Sequence, residues 1–111
     1  MSKYIPKQGD IIYLDFNPQS GREQMGRRPA LVISNNEFNS FFKNGVIVCP
    51  ITNTDRNAPF HVKMPNGSRT TGVVMCEQVK ALDVVARNAK FYDEAPNSVV
   101  HQVLEIVKLF L

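Results

Sequence analysis

The chain has 111 residues, of which 43% are hydrophobic and none is tryptophan, and its formal net charge is +3. This length fits a single domain over residues 1–111 with one modest core. No apolar run approaches the roughly 18 residues that cross a bilayer, and the first ten residues, MSKYIPKQGD, lack the apolar centre of a signal peptide. We therefore predict a cytoplasmic protein with no membrane partner.

The cysteines and histidines do not form a pattern typical of a metal site. Cys49 and Cys76 each lie inside an apolar run, there is no CxxC pair, and the two histidines are far apart in the chain. We expect two buried free thiols, no metal and no other cofactor. His61 alternates with apolar neighbours, which indicates the solvent face of a strand.

The first half of the chain predicts three short strands and one short helix. Alternating apolar residues end at an Asn-Pro turn, and a polar loop follows before the next apolar run. Because proline cannot donate to a sheet, Pro50 indicates a strand that is at an edge, bulged or ending. The predicted elements are strands at 10–16, 29–34 and 46–52 and a helix, capped by Asn35 or Asn36, that ends at 42.

The second half predicts three further strands, at 60–64, 73–79 and 84–91, and a terminal helix that begins at residue 96, 97 or 98. This helix carries an apolar stripe, which must dock on the barrel or on a second subunit. The stripe consists of Val100, Val103, Leu104, Val107, Phe110 and Leu111. Five or six short strands and one terminal helix indicate a small curled antiparallel sheet, either an SH3-like half-open barrel or, as the alternative, an OB-like barrel.

The most informative stretch is residues 21–34, GREQMGRRPALVIS, where a polar loop becomes an apolar strand. Arg28 is held in extended conformations by Pro29. A permanent cation in a fixed place suits a phosphate or a carboxylate. Residues 20–28 hold three arginines against one glutamate, and such a basic loop suits nucleic acid or an acidic protein partner.

Four ordered blocks, GDIIYLDFNP, GREQMGRRPALVIS, VCPITNT and GVVMCEQVKALD, resemble the MazF/PemK family of toxin endoribonucleases. The most specific pieces are E-Q-x-G-x-R-P-A-L-V and the P-x-T after the third strand, and the resemblance covers nearly the whole chain. It implies a mainly β fold, a small SH3-like (CcdB/PemK-type) barrel of five to seven strands with a short helix after strand two and a C-terminal helix. It also implies the toxin of a type II toxin–antitoxin system that cuts single-stranded mRNA without a metal ion.

The resemblance also implies roles for individual residues. The catalytic arginine of the family falls on Arg28 and its catalytic threonine on Thr52, while Glu23 and Gln24 match the acidic residue and the amide of the loop between strands one and two. Arg22 stands where relatives often have a small residue, so it adds positive charge beside the loop. The residues expected to contact RNA are Phe16, Arg22, Gln24, Arg27, Asn35, Gln78 and Lys80, with the cations positioning the strand and the amides reading bases.

The chemistry that this implies uses the 2′-hydroxyl of RNA as the nucleophile and leaves a 2′,3′-cyclic phosphate and a 5′-hydroxyl. Because arginine stays protonated in proteins, we assign charge stabilisation and leaving-group protonation to Arg28 and proton abstraction to Glu23. Two alternatives stay open. Arg28 could form a structural ion pair with Glu77 or Asp15, and Thr52 could be a turn residue that bonds to its own backbone.

The resemblance implies three partners: single-stranded RNA, a second copy of the chain in a homodimer, and an antitoxin with an acidic, partly disordered C-terminal segment. DNA would be met only indirectly, through an antitoxin complex.

We expect four aromatic residues in the core rather than as stacking platforms for bases: Tyr13, Phe16, Phe41 and Phe42. Two rival functions are a non-enzymatic poison of DNA gyrase on the same fold and an SH3-like peptide-binding module. Without tryptophan, the chain fits the peptide-binding module poorly.

Overall fold

The computed structural model describes residues 4–16, 27–55 and 57–111. The predictions for Arg22, Glu23 and Gln24 lie outside these residues. Within them, two α-helices, seven strands and one 3-10 turn follow in the order β1 (Asp10–Asp15), β2 (Arg27–Val32), α1 (Asn36–Phe41), β3 (Gly45–Thr52), β4 (His61–Lys63), β5 (Val73–Met75), the 3-10 turn Cys76–Gln78, β6 (Lys80–Asp83), β7 (Lys90–Glu94) and α2 (Asn97–Lys108).

The strands form one antiparallel sheet in the order β4-β5-β3-β2-β1-β7, and β6 also pairs with β3. Within the described chain, β4 and β7 do not pair with each other, so the sheet is curled but not closed. The predicted fold class, mainly β with a short helix after strand two and a C-terminal helix, is confirmed. Neither described helix is long and apolar enough to cross a bilayer.

Pro50 lies in the central strand, so the prediction of an edge, bulge or strand end at this position is wrong. β2 pairs along one side of β3, and Pro50 is opposite Ala30 there. On the other side, β6 pairs with residues 45–48 and β5 with residues 51–52. Pro50 falls between these two partners, so its missing N–H does not interrupt either ladder.

Alternation along β1, β2 and β3 creates two buried clusters on opposite faces of the sheet. One face carries Ile11, Leu31, Cys49 and Ile51 and is covered by α2. The other carries Ile12, Leu14, Ala30, Val32, Val46 and Val48 with Leu82 and Val84 from the β6 side. At the Arg28 end of β2, each face therefore presents a different set of side chains.

Helix α2 docks on the sheet through most of the predicted stripe, with Val103 and Val107 buried and Val100 and Leu104 packed against the same cluster. Val99, Val103 and Val107 are buried at successive four-residue intervals, which is the helical spacing of one face. At the end of the chain, Phe110 is 39% exposed and Leu111 is 95% exposed. The last residues therefore remain available to a partner.

The predicted strand at 84–91 is wrong, because the chain turns there between β6 and β7. The Asp83 carboxylate accepts hydrogen bonds of 2.9 Å from the backbone N–H groups of Val85 and Ala86. Asn88 then adopts a positive φ of 55°, a conformation that asparagine tolerates in turns. The fifth strand also ends earlier than predicted, at Met75, because the next three residues form the 3-10 turn.

Helix α1 buries a polar residue rather than its aromatic ones. Asn39 is 5% exposed, and its amide donates to the carbonyls of Pro6 at 2.9 Å and Ser34 at 3.2 Å. Phe41 is 79% and Phe42 49% exposed, so the prediction that both belong to the core is wrong. Apolar periodicity alone does not reveal that an asparagine with two buried acceptors will take the inner face.

The two cysteines are buried free thiols, as predicted. Burial raises the pKa of Cys49 to about 12 and that of Cys76 to about 11. We therefore expect both thiols to resist a thiol-specific reagent in the native protein at mildly alkaline pH, because only the thiolate reacts. The same reagent should titrate two thiols per chain after denaturation. Rapid native labelling would contradict the buried placement.

Candidate active site

Arg28 and Thr52 lie near the same ends of the paired strands β2 and β3. The register runs from Val32 opposite Val48 to Ala30 opposite Pro50. Arg28 and Thr52 each lie two residues beyond that last pair, within the bounds of their strands. Because side chains alternate between the faces of a strand, both residues belong to the face of Ala30 and Pro50. Two residues 24 positions apart in the chain thus come to the same end of the sheet.

The two adjacent arginines have different environments. Arg27 donates to the Asp15 carboxylate at 3.2 Å and to the carbonyls of Tyr13 at 3.0 Å and Asn88 at 2.6 Å. Arg28 is exposed, and no described residue forms a hydrogen bond or ion pair with its guanidinium. The alternative of a structural ion pair for Arg28 is wrong, since Asp15 pairs with Arg27, and Glu77 pairs with His61.

Thr52 is half-buried at the end of β3, and its Oγ1 accepts a hydrogen bond from the Thr54 N–H at 3.1 Å. The turn bond that we considered as an alternative therefore exists, but it uses an oxygen lone pair and leaves the hydroxyl proton available. Gly72 packs directly against the Thr52 carbonyl with φ +104°, and a Cβ at Gly72 would overlap that oxygen. This close approach fixes the backbone of Thr52.

Phe16 and Lys80 lie on the same face of the sheet as Arg28. Lys80 is opposite Val48 in the β3–β6 register, and its Nζ lies 5.2 Å from the centroid of the Phe16 ring. Phe16 is half-buried against the cluster on that face. Gln78 is exposed in the 3-10 turn two residues before Lys80. The structure thus brings Phe16 and Lys80 into contact on the face of the sheet that also carries Arg28 and Thr52.

Asn35 is not part of this group within one chain. Its side chain accepts a hydrogen bond of 2.9 Å from the Phe38 N–H and caps α1, as its position before the helix predicted. It follows the far end of β2, on the order of 20 Å along the strand from Arg28. Within one chain, this placement supports the helix-capping role of Asn35 and gives no support to its predicted contact with RNA beside Arg28.

Two side-chain environments near the strand ends, those of Arg87 and His61, were not predicted from the sequence. Arg87 donates to the carbonyls of Asp15 and Phe16 and so fixes the chain where the loop after β1 begins. His61 was expected on a solvent face, but its side chain is only 8% exposed. Its Nε2 lies 3.2 Å from Oε2 of Glu77, and its Nδ1 lies 3.8 Å from Oδ1 of Asp55. The expectation was wrong because alternation in one strand does not show that loop carboxylates cover its outer face.

Asp15 provides a pH-dependent contribution to stability. A hydrogen bond from the Asn88 amide and the nearby Arg27 guanidinium lower the pKa of the Asp15 carboxyl from its ordinary value of 3.8. A lowered folded pKa means that the stabilisation is present above 3.8 and is lost as the pH falls through the lower value. We expect Asp15→Asn to lower the Tm at neutral pH, with a difference that shrinks in acid. A difference that grows in acid would contradict this sign.

Comparisons with known proteins agree on one family. Residues 7–111 match the family model described as PemK-like, MazF-like toxin of type II toxin–antitoxin system. The chain is 40% identical over 90 residues to the endoribonuclease toxin MazF of Escherichia coli K12, which covers 80% of this chain and 78% of that protein. It is also 35% identical to the crystal structure of MazF from Deinococcus radiodurans, with a TM-score of 0.86 and 97% of each chain covered.

A MazE–MazF crystal structure from the same organism is similar as well. That chain is 35% identical, its TM-score is 0.88, and the match covers 97% of this chain and 96% of that one. The resemblance noted in the four sequence blocks is therefore confirmed at the level of the family and of the fold.

Proposed function

The chain belongs to the PemK-like, MazF-like toxins of type II toxin–antitoxin systems, and from this premise we propose that it is an endoribonuclease that cuts single-stranded mRNA without a metal ion. The observation that carries the proposal is an exposed guanidinium, Arg28, that has no partner among the described residues and lies at the same end of the paired strands β2 and β3 as the hydroxyl of Thr52. Such a pair can hold one phosphate group between two strands. No described residue has to release Arg28 first.

In the proposed reaction, Arg28 donates two parallel hydrogen bonds to the non-bridging oxygens of the scissile phosphate. Thr52 adds a hydroxyl donor where negative charge develops. Glu23 takes the proton of the 2′-hydroxyl, which attacks the phosphorus, and the departing 5′-oxygen receives a proton from Arg28. The products are a 2′,3′-cyclic phosphate and a 5′-hydroxyl end.

Recognition of the RNA is assigned to the groups around this pair. We propose that Lys80, Arg22 of the loop and Arg27 at the start of β2 neutralise flanking phosphates without reading sequence, with Arg27 also bound to Asp15. Gln24 and Gln78 carry amides that can pair with unstacked base edges. The Phe16 ring already bears a cation on one face.

We further propose that the chain acts as a cytoplasmic homodimer and is neutralised by an antitoxin with an acidic, partly disordered segment. Similar structures are described as MazE–MazF complexes, and such a segment can fold onto a basic groove. The dimer is supported by the exposed end of α2, where Leu109 is 74% and Leu111 95% exposed and Phe110 stacks edge-on against Phe60 at 4.9 Å. Light scattering of Phe110→Asp, with Val85→Asp as an exposed apolar control, tests this surface.

The direct test of the proposed function incubates the purified, antitoxin-free protein with a long RNA in the presence of EDTA. We expect discrete fragments whose ends are 2′,3′-cyclic phosphate and 5′-hydroxyl. A toxin that acts only by binding a protein target would leave the RNA intact. Fragments that appear only when a divalent metal is supplied would overturn the metal-independent mechanism.

Thr52 offers a test by isosteric replacement. Thr52→Val removes the hydroxyl and keeps the shape, so we expect kcat to fall by about 10²- to 10³-fold, as for the loss of one donor to developing charge. Thr52→Ser keeps the hydroxyl and should retain most of the activity. Equal activity of the valine and serine variants would remove the hydroxyl from the mechanism.

A further inference from the structure

A small polar cavity opens on the opposite face of β2 and β3 from Arg28 and Thr52. Its volume is about 110 Å³, well below the roughly 300 Å³ or more of a pocket for a drug-sized ligand, so it suits a compact group rather than a whole nucleotide. Its described lining residues are Tyr13, Pro29, Ile51, Asn53, Arg69, Thr70, Thr71 and Tyr92. Pro29 and Asn53 are the chain neighbours of Arg28 and Thr52, so the cavity adjoins the proposed cleavage site.

The cation of this cavity is Arg69. Its guanidinium carbon lies 4.2 Å from the centroid of the Tyr92 ring, and Tyr92 packs in turn against Tyr13 at 4.9 Å between ring centroids. Stacking on an aromatic face orients a guanidinium without using its N–H groups. No described residue accepts a hydrogen bond from Arg69, so its donors are held in place and unused.

The rest of the lining adds donors and no negative charge. Asn53 accepts a hydrogen bond of 2.9 Å from the Thr71 hydroxyl through its Oδ1, which leaves its NH₂ group without a partner among the described residues. The carboxylate of Asp93, the chain neighbour of Tyr92, accepts hydrogen bonds from the Thr70 hydroxyl at 2.9 Å and the Glu94 N–H at 2.8 Å. A small, donor-lined cavity with a free guanidinium favours an anion.

We propose that Arg69, supported by Asn53, binds the RNA phosphate immediately next to the scissile one. This rests on the proposed function, because it needs an RNA strand held at Arg28. An RNA strand that wraps over the ends of β2 and β3 would reach from the face of Arg28 to the face of Arg69, since Pro29 and Asn53 line the cavity and adjoin Arg28 and Thr52 in the chain. The cavity favours an anion, and the RNA proposed for the active site carries one on every phosphate. A phosphate of the RNA backbone therefore meets both expectations. Arg69 is a binding residue that fixes the position of the substrate and does not touch the reacting atoms.

The first experiment measures binding of an uncleavable RNA, made by placing a 2′-deoxy residue at the cut site mapped with the wild type. Fluorescence anisotropy over a range of salt concentrations would compare the wild type with Arg69→Ala, Arg69→Lys and, as a matched cation control, Lys43→Ala. Lys43 lies just before the start of β3, far from Thr52. We expect Arg69→Ala to weaken binding about tenfold or more and to lower the salt slope by about 0.7, Lys to restore the slope partly, and Lys43→Ala to change neither.

The second experiment separates a phosphate contact from a structural role of the Arg69–Tyr92 stack. RNAs with one neutral methylphosphonate on either side of the cut site would be bound to the wild type and to Arg69→Ala. A direct contact predicts that one of the two neutral linkages weakens binding to the wild type and has no further effect on Arg69→Ala. A merely structural arginine predicts equal losses in both proteins.

The two proposals fail in different ways. If the wild type cuts RNA but Arg69→Ala keeps its affinity, its salt slope and its sensitivity to both neutral linkages, the assignment of Arg69 is wrong and the nuclease stands. If the wild type leaves RNA intact, the proposed function fails first. Circular dichroism and the Tm of Arg69→Ala would show that the variant is folded. Arg69→Lys, which keeps the charge, supplies a second reading should the alanine variant not fold.

Discussion

Replacing Arg28 with alanine is expected to lower kcat/KM for RNA cleavage by about 10²- to 10³-fold, the loss typical of removing one donor to developing charge. The expectation follows from the two-stranded geometry, in which Arg28 lies at the same end of the sheet as Thr52 and its guanidinium has no partner among the described residues. For the same reason we expect stability to change little, because an exposed, unpaired side chain contributes within about 0.5 kcal/mol. Cleavage rates and thermal melts of the same preparation measure both effects.

Two further variants give this prediction its controls. Arg28→Lys keeps one positive charge but loses the paired donors, so its activity should lie between those of the wild type and the alanine variant. Lys43→Ala removes an exposed cation far from the site and should leave the rate unchanged. If Arg28→Ala cut RNA at the rate of the wild type, the central element of the proposed mechanism would be lost.

Replacing Glu23 with glutamine is expected to lower kcat by about 10²- to 10⁴-fold, the range for loss of a general base. The assignment follows from what the other groups can do. Arg28 stays protonated, and the Asp15 carboxylate is held by Arg27 and Asn88. Because only an ionised carboxylate accepts the proton, the rate of the wild type should fall in acid. The glutamine variant should lack this acidic limb in its pH–rate profile.

Glu77 supplies the comparison for the general base. It is the chain neighbour of Gln78, which is expected to contact RNA, but its Oε2 lies 3.2 Å from Nε2 of His61. We therefore expect Glu77→Gln to change stability more than the shape of the pH–rate profile. Should Glu77→Gln lose the acidic limb while Glu23→Gln keeps it, the base would be Glu77. An unchanged rate and profile in Glu23→Gln would by itself end the assignment of Glu23.

Much of this protein was predictable from the chain itself. The alternation of β1, the apolar run of β2 and the cap of α1 are local patterns, because each depends on residues a few positions apart. The four sequence blocks placed the chain in its family, which the comparisons confirm. The same blocks identified Arg28 and Thr52 as candidate catalytic residues. The site roles themselves stay predictions.

Other features depended on contacts between distant residues. Apolar periodicity put Phe41 and Phe42 inside, whereas Asn39 is buried because Pro6 and Ser34 offer it acceptors. Proline chemistry put Pro50 at an edge, whereas the change of partner from β6 to β5 makes room for it in the central strand. In each case the deciding group lies in another element.

The sequence by itself thus determined the mainly β class, the family and the arginine–proline step that holds a cation at the start of a strand, since these are properties of consecutive residues. Only the tertiary structure decided that Arg27 is bound by Asp15 while Arg28 has no partner among the described residues. It also decided that the pairing of β2 with β3 brings Arg28 and Thr52 to one end of the sheet, and that Arg69 stacks on Tyr92 on the opposite face. The physical reason is that register and side-chain partners are set by pairing between segments. No single segment encodes its own partner.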